Sequence, residues 1–344
     1  MTQTKTEILQ QPEVLRRVLT ENQERAQQCA KAIADRGVKF ALIAARGTSD
    51  NAATYAKYLW GSVNRMPVAL AAPSLYTFYG TPPKLDGALV VGISQSGAST
   101  DIVTVLENAR SQGALTLGIT NELDSPLAHV CEFVLPCLAG PEKAVAATKT
   151  YTSQLACIAL LSAVLVGDNY RLDELKRVPD AVARTLELEE QAQASVERYR
   201  YMESALVLSR GYNLATAAEV ALKIKELTYS HVQAYSTADF MHGPLASVDE
   251  GFPVVAIVPT GALYENLVSS LKTVKDRQAE LLVISDGDEA LSLGRVALRV
   301  PALPEWLSPI TNVIPGQWLA HYLAITKGFD PDSPRALSKV TLTL

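Results

Sequence analysis

The sequence predicts an α/β protein built from two similar three-layer αβα units. Three observations predict it. Apolar, strand-like runs end in hydroxyl- and glycine-rich turns that open helices at three places: residues 40–45 before Arg46-Gly47-Thr48-Ser49, residues 89–93 before Ser94-Gln95-Ser96-Gly97, and residues 205–208 before Ser209-Arg210-Gly211. Short apolar runs alternate with helical spacing through both halves, the order that gives a mostly parallel sheet covered on both faces. A chain of 344 residues with 48% hydrophobic content can fill two cores.

Each element follows from its local pattern. Residues 1–35 form an N-terminal helical segment of one or two helices, since Leu9, Val14, Leu15, Val18 and Leu19 recur near helical spacing and Pro12 marks a start or break. The first unit spans 36–175. Its strands are 40–45, 67–71, 88–93, 115–120 and 133–135. Its helices are 52–64, 100–112 and 148–166, with shorter segments at 74–79 and 126–131 and a loop at 139–147. A linker helix rich in Glu, Gln and Ala covers 176–200. The second unit, 201–344, restarts with strand 205–209 and helix 216–229. A polar and aromatic loop follows, then strand 253–259, helix 264–277, strands 280–285 and 297–300, helix 310–327 and a C-terminal tail.

Bulk properties exclude several classes. The formal charge of −5 is mild, and no basic block is long enough for a nucleic-acid footprint. The polar N-terminus lacks the apolar core of a signal peptide, and apolar runs such as 158–166 are too short to span a membrane. Cys29, Cys131, Cys137 and Cys157 form no CxxC pair, and the histidines are widely spaced. They read as buried thiols of a cytoplasmic protein, with no metal and no cofactor expected.

The chemistry concentrates in four places. Residues 89–100 crowd hydroxyls, an amide and a glycine where a strand gives way to a helix, and such a helix start favours an anion. No lysine or arginine lies in the run, which suits the phosphate of a small metabolite held by neutral donors. Glycine and serine also make ordinary turns, and that reading stays open. On helix 216–229, Glu219, Lys223 and Glu226 share one face at i,i+4 and i,i+3 spacing, as a surface salt-bridge ladder or as a functional cluster. His242-Gly243-Pro244 then fixes a histidine at a rigid bend. The small-residue loop 139–147 can close over a ligand, with Thr148 as a helix cap. The tail carries prolines that suggest an ordered strap able to bring Lys339 to a site.

Together these stretches resemble the sugar isomerase (SIS) superfamily, in particular the isomerase half of the glutamine–fructose-6-phosphate aminotransferases and the stand-alone glucosamine-6-phosphate deaminases. The matching motifs are Gly47-Thr48-Ser49, Ser94-Gln95-Ser96-Gly97, Ile119-Thr120-Asn121, the 139–154 loop and helix, Ser209-Arg210-Gly211, Glu219 to Glu226, His242-Gly243-Pro244-Leu245 and 334–339. The resemblance implies a flavodoxin-like, five-stranded parallel sheet in each unit and a homodimer with shared active sites. It implies a phosphosugar whose phosphate meets Ser94, Gln95, Ser96 and Ser99, with Gly47, Thr48, Ser49, Ala146 and Glu219 lining the site. By the same resemblance Glu226 carries the proton between C1 and C2, Lys223 relays charge, His242 supplied by the partner subunit assists ring opening, and Lys339 meets a ketose carbonyl.

The implied reaction is glucosamine 6-phosphate to fructose 6-phosphate plus ammonia through an enediol or enolamine. The alternatives are isomerisation of another phosphosugar and non-catalytic phosphosugar sensing. The sequence departs from the synthase pattern at Ala98, where a glutamate is usual, and at Ser99, which keeps the hydroxyl of a threonine. Met1-Thr2 offers no cysteine nucleophile for glutamine hydrolysis, so internal channelling of ammonia is not expected.

Overall fold

The computed structural model describes residues 1–336; Lys339 lies outside the described residues. In chain order the elements begin with α1 (Gln3–Leu9), α2 (Gln11–Glu21), α3 (Gln23–Asp35), β1 (Phe40–Ala45), α4 (Thr48–Ser62), β2 (Val68–Leu70), α5 (Ser74–Thr77), β3 (Ala88–Ser94), α6 (Thr100–Ser111), β4 (Leu115–Thr120), α7 (Pro126–Val130), β5 (Phe133–Pro136) and α8 (Lys149–Val166). They continue with α9 (Asn169–Lys176), α10 (Val178–Leu186), α11 (Glu189–Ser195), β6 (Ser204–Ser209), α12 (Leu214–Thr228), β7 (His231–Ser236), α13 (Thr237–Met241), β8 (Pro253–Val258), α14 (Tyr264–Asp276), β9 (Glu280–Ser285), α15 (Asp288–Leu293), β10 (Val296–Arg299) and α16 (Ser308–Thr326).

Contacts divide the chain into two units. Among the described residues, the first holds Glu13 to Glu142 and Lys149 to Arg177; the second holds Met1 to Pro12, Lys143 to Thr148 and Val178 to Ala336. The first unit's sheet runs β2-β1-β3-β4-β5 with every pairing parallel. Strands β3 and β4 are buried along their whole length, which is why they read as unbroken apolar runs rather than alternating ones. Helix α8 packs on this layer against α3 and α4. It joins the 158–166 run to the residues before it, giving 18 residues of mean hydropathy 1.4, long and apolar enough to cross a membrane by length and composition. It is 83% buried, so its apolar character is used inside the protein. The four cysteines are free and buried, and burial pushes the thiols of Cys29 and Cys131 up to about 12. Cys29 and Cys131 therefore stay protonated and are poor nucleophiles.

The second unit repeats the plan. Its sheet runs β10-β9-β8-β6-β7, again all parallel, so the two sheets share one strand order counted from their own first strands. Strand order reverses between β1 and β3 in the first unit and between β6 and β8 in the second. In such sheets ligands bind outside the carboxyl ends of the strands at that reversal.

Two expectations need correction. The segment after helix 216–229 is not a plain loop: it holds edge strand β7, helix α13 and a 3-10 turn at Pro244–Ser247. The expected linker helix over 176–200 is broken into the end of α9, then α10, α11 and a 3-10 turn at Val196–Tyr199. Pro179, in the first turn of α10, has no N–H to continue the preceding helix. Breaking the chain there lets α10 and α11 each turn an apolar face to α16.

Candidate functional site

The phosphate-loop candidate sits at the carboxyl end of β3. Ser94 closes the strand, and its Oγ accepts from the Gly97 N–H at 3.1 Å; Ser96 Oγ accepts from the Ala98 N–H at 3.3 Å. A hydroxyl that accepts one bond keeps its own proton for a ligand. Gly97 has φ +63°, and a Cβ there would lie 2.1 Å from Ser125 Oγ, so conformation and space both require glycine. The loop is tied down from behind: the Gln95 carbonyl accepts from the Asn121 N–H at 3.1 Å, and the Gly97 carbonyl from the Leu127 N–H at 3.0 Å. Ser99 is the N-cap of α6 but makes no capping bond with its side chain. The start of α6 therefore adjoins the same loop, with the Ile102 N–H taken by Asp101 Oδ1 at 2.9 Å.

Gly47, Thr48 and Ser49 open α4 at the carboxyl end of the neighbouring strand β1. Ser49 is held by Gln154, whose Nε2 donates to its Oγ at 3.0 Å. The two motifs thus flank the reversal of strand order, as a ligand site in this topology requires. Sequence reasoning missed one residue here. Arg46 reaches the first turn of α6, where its Nε donates to Asp101 Oδ2 at 2.8 Å. A cation thus stands beside a run that contains none. The second unit's equivalent reversal is built differently. The Thr260 N–H donates to Asp286 Oδ1 at 2.7 Å, and the Thr260 hydroxyl bonds the same carboxylate. A carboxylate at that place opposes a phosphate, which leaves the first unit's loop as the anion candidate.

The second unit supplies the titratable cluster. On α12, Lys223 Nζ lies 2.5 Å from Glu226 Oε2 and 3.5 Å from Glu219 Oε1. Glu219 is fully buried, the Lys223 side chain is 2% exposed, and that of Glu226 is 24% exposed. This is no surface ladder. Helix α12 packs against α16, β6 and β7, and of the three side chains Glu226 alone keeps an open side. Close approach of α16 is required: a Cβ at Gly316 would fall 2.2 Å from Val220 Cγ2.

Helix α12 ends at Tyr229, in the left-handed region at φ 58°. The Tyr229 hydroxyl accepts from the Arg335 N–H at 2.9 Å, and the Arg335 guanidinium stacks 3.9 Å over its ring. His242 is exposed at the C-terminal end of α13, before Gly243 at φ 147°. Ala146 is 1% exposed, in the 143–148 segment of this unit. The start of α8 is held by Glu142, which accepts from the Thr150 N–H at 3.1 Å and the Thr150 hydroxyl at 2.7 Å. Among the described residues no group of His, Cys, Asp and Glu is arranged to hold a metal ion.

The arrangement offers a partly open carboxylate beside a buried ammonium in one unit and a neutral oxyanion cradle in the other. The first suits proton transfer with charge stabilisation, the second a phosphate. The SIS domain profile matches residues 37–164 and 200–327, one match over each sheet. The chain belongs to the SIS-domain family.

The SIS chain is 40% identical over 310 residues to the isomerizing glutamine–fructose-6-phosphate aminotransferase of Bordetella parapertussis, covering 87% of this chain and 51% of that protein. It spans about half the length of the curated relatives it matches. Two solved structures share the fold over nearly the whole chain. One is a Silicibacter pomeroyi protein provisionally described as a phosphosugar isomerase, at 31% identity and TM-score 0.89, covering 96% of this chain and 100% of that one. The other is the C-terminal domain of the glucosamine-fructose-6-phosphate aminotransferase of Francisella tularensis, at 28% identity and TM-score 0.87, covering 97% and 98%.

Proposed function

We propose that this SIS protein is a phosphosugar isomerase and deaminase that converts glucosamine 6-phosphate to fructose 6-phosphate and ammonia. The observation that carries the reading is the α12 cluster, where a partly exposed carboxylate, Glu226, is backed by a nearly buried ammonium, Lys223. Names of related proteins pair fructose 6-phosphate with amino-group transfer, which favours an amino sugar over a neutral one.

The loop at 94–99 takes the phosphate and supplies binding energy remote from the reacting carbons. Glu226 removes the C2 proton of the open-chain aldehyde, giving the enolamine, and the proton returns at C1. Lys223 offsets the charge that grows on oxygen in that step. The product is the 2-imine of fructose 6-phosphate. Water adds at C2 and ammonia leaves, giving the ketose. The protein acts as a cytoplasmic homodimer in which His242 of the partner subunit opens the sugar ring and Lys339 meets the ketose carbonyl.

The test is turnover of glucosamine 6-phosphate with ammonia and fructose 6-phosphate measured together, beside a panel of neutral sugar phosphates. Equal release of both products supports the reading. Aldose–ketose conversion without ammonia assigns a neutral phosphosugar, and binding without conversion assigns a sensor. Mixing inactive Glu226→Gln and His242→Ala proteins should restore partial activity if sites are shared, and a fully active monomer refutes sharing.

A further inference from the structure

Helix α1 belongs to neither the phosphate loop nor the α12 cluster, yet its polar groups reach two other segments of the second unit. Glu7 is fully buried. Its carboxylate accepts from the backbone N–H groups of Lys143 and Ala144, the latter at 3.2 Å from Oε2, and from Gln3 Nε2 at 3.2 Å. The far end of the same loop is also held. Gln11 Nε2 donates to Gln317 Oε1 at 2.9 Å, and Gln317 Nε2 lies 3.5 Å from the Thr148 carbonyl.

The second segment is the C-terminal strap. Asp332 accepts from the Gln3 N–H at 2.6 Å, the Thr4 N–H at 2.7 Å and the Thr4 hydroxyl at 2.7 Å. Burial works to raise the Asp332 carboxyl, and the donors from Thr4 and Gln3 outweigh it and hold it below its ordinary range. Three residues on, Arg335 is bonded to and stacked on Tyr229, which ends α12 three residues after Glu226. One short helix thus grips the loop carrying Ala146 and the strap leading in sequence to Lys339.

We propose that Glu7 and Asp332 are positioning residues, and that α1 is the brace through which Glu7 sets the 143–148 loop and Asp332 sets the strap against the end of α12. The proposal rests on the isomerase–deaminase reading for what loop and strap do. Charged acceptors matter because backbone N–H groups bound to a carboxylate are held more tightly than by a neutral acceptor. Glu7→Gln keeps the shape but turns an amide NH2 toward backbone donors. Asp332→Asn does the same at the strap.

The experiment measures KM and kcat for both variants with glucosamine 6-phosphate, beside inhibition by inorganic phosphate and urea unfolding. Losing one charge-assisted bond converts to roughly a tenfold effect or more. Glu7→Gln should raise KM on that order with kcat nearly unchanged. Asp332→Asn should lower kcat on that order with KM nearly unchanged. Inhibition by phosphate, which reads the 94–99 loop, should stay at the wild-type level in both.

Wild-type KM and kcat in either variant overturns the brace, and so does an altered phosphate inhibition, which marks general damage. If Glu7→Gln or Asp332→Asn does not fold, Gln3→Leu, which takes a donor from Glu7, and Thr4→Val, which takes one from Asp332, test the same two grips with smaller changes. Failure of the functional reading shows separately, as wild-type exchange of the substrate C2 proton with heavy water in Glu226→Gln.

Discussion

Replacing Lys223 with methionine separates the structural from the catalytic role of the α12 cluster. The side chain is 2% exposed, and its ammonium faces a fully buried carboxylate, Glu219, at 3.5 Å and a partly exposed one, Glu226, at 2.5 Å. Methionine fills much of the volume but removes the charge. Glu219 is then a buried carboxylate without the ammonium it faces. Breaking a buried pair from one side costs about 3–5 kcal/mol. The Glu226 leg contributes little to that figure, because its 24% exposure lets water and salt screen it. Glu226→Gln should therefore cost about 1 kcal/mol of stability.

Activity should rank the variants differently. Glu226→Gln removes the proposed base and should lower kcat by roughly 10² or more. Urea unfolding supplies the stabilities, and exchange of the C2 proton supplies the activity. The double variant Glu219→Gln/Lys223→Met, which removes both buried charges, should recover part of the loss. If Lys223→Met unfolds at the wild-type urea concentration, or Glu226→Gln is destabilised as much as Lys223→Met, the burial argument is wrong.

Three further outcomes are expected. Ser94→Ala with Ser96→Ala removes two of the three serine hydroxyls of the proposed phosphate loop and should raise KM for the phosphosugar sharply; unchanged kinetics in the folded protein would move the anion site elsewhere. Gly316→Ala sets a methyl against Val220, 2.2 Å from its Cγ2, and should cost about 1–3 kcal/mol by overpacking, read as a lower urea midpoint. The His321 imidazole is lowered by burial to about 4, against opposing pulls from Asp332 and Glu189 and a like push from Lys5. The unfolded chain therefore takes up a proton between pH 6.5 and about 4 that the folded protein refuses, so stability falls as pH is lowered through that window, by roughly 3 kcal/mol in all. His321→Gln should flatten that part of the stability–pH curve, and an unaltered slope would assign it to other groups.

Local pattern was enough for much of this protein. Alternating apolar runs and helical spacing marked both αβα units, because a buried parallel strand and an amphipathic helix each impose their own period on the residues that form them. Serine, glycine and amide residues at 94–99 marked a candidate anion loop, because their hydrogen-bonding capacity is fixed by residue type. Edge strand β7 escaped notice: its residues alternate exposed and buried only at its start, and its histidine, glutamine, tyrosine and serine read as a polar loop until β6 pairs with it.

What the tertiary structure decided were contacts between residues far apart in the chain. The spacing of Glu219, Lys223 and Glu226 was legible, but whether Lys223 lay in water or in the core depended on how the folded chain packs around α12, which α16 approaches closely at Gly316. Arg46 meeting Asp101, Glu7 meeting Lys143 and Asp332 meeting Thr4 were equally hidden. The physical reason is one of range. Propensity and periodicity act over a turn or a strand, whereas desolvation and the pairing of buried charge depend on which distant segments the folded chain brings within a few ångströms.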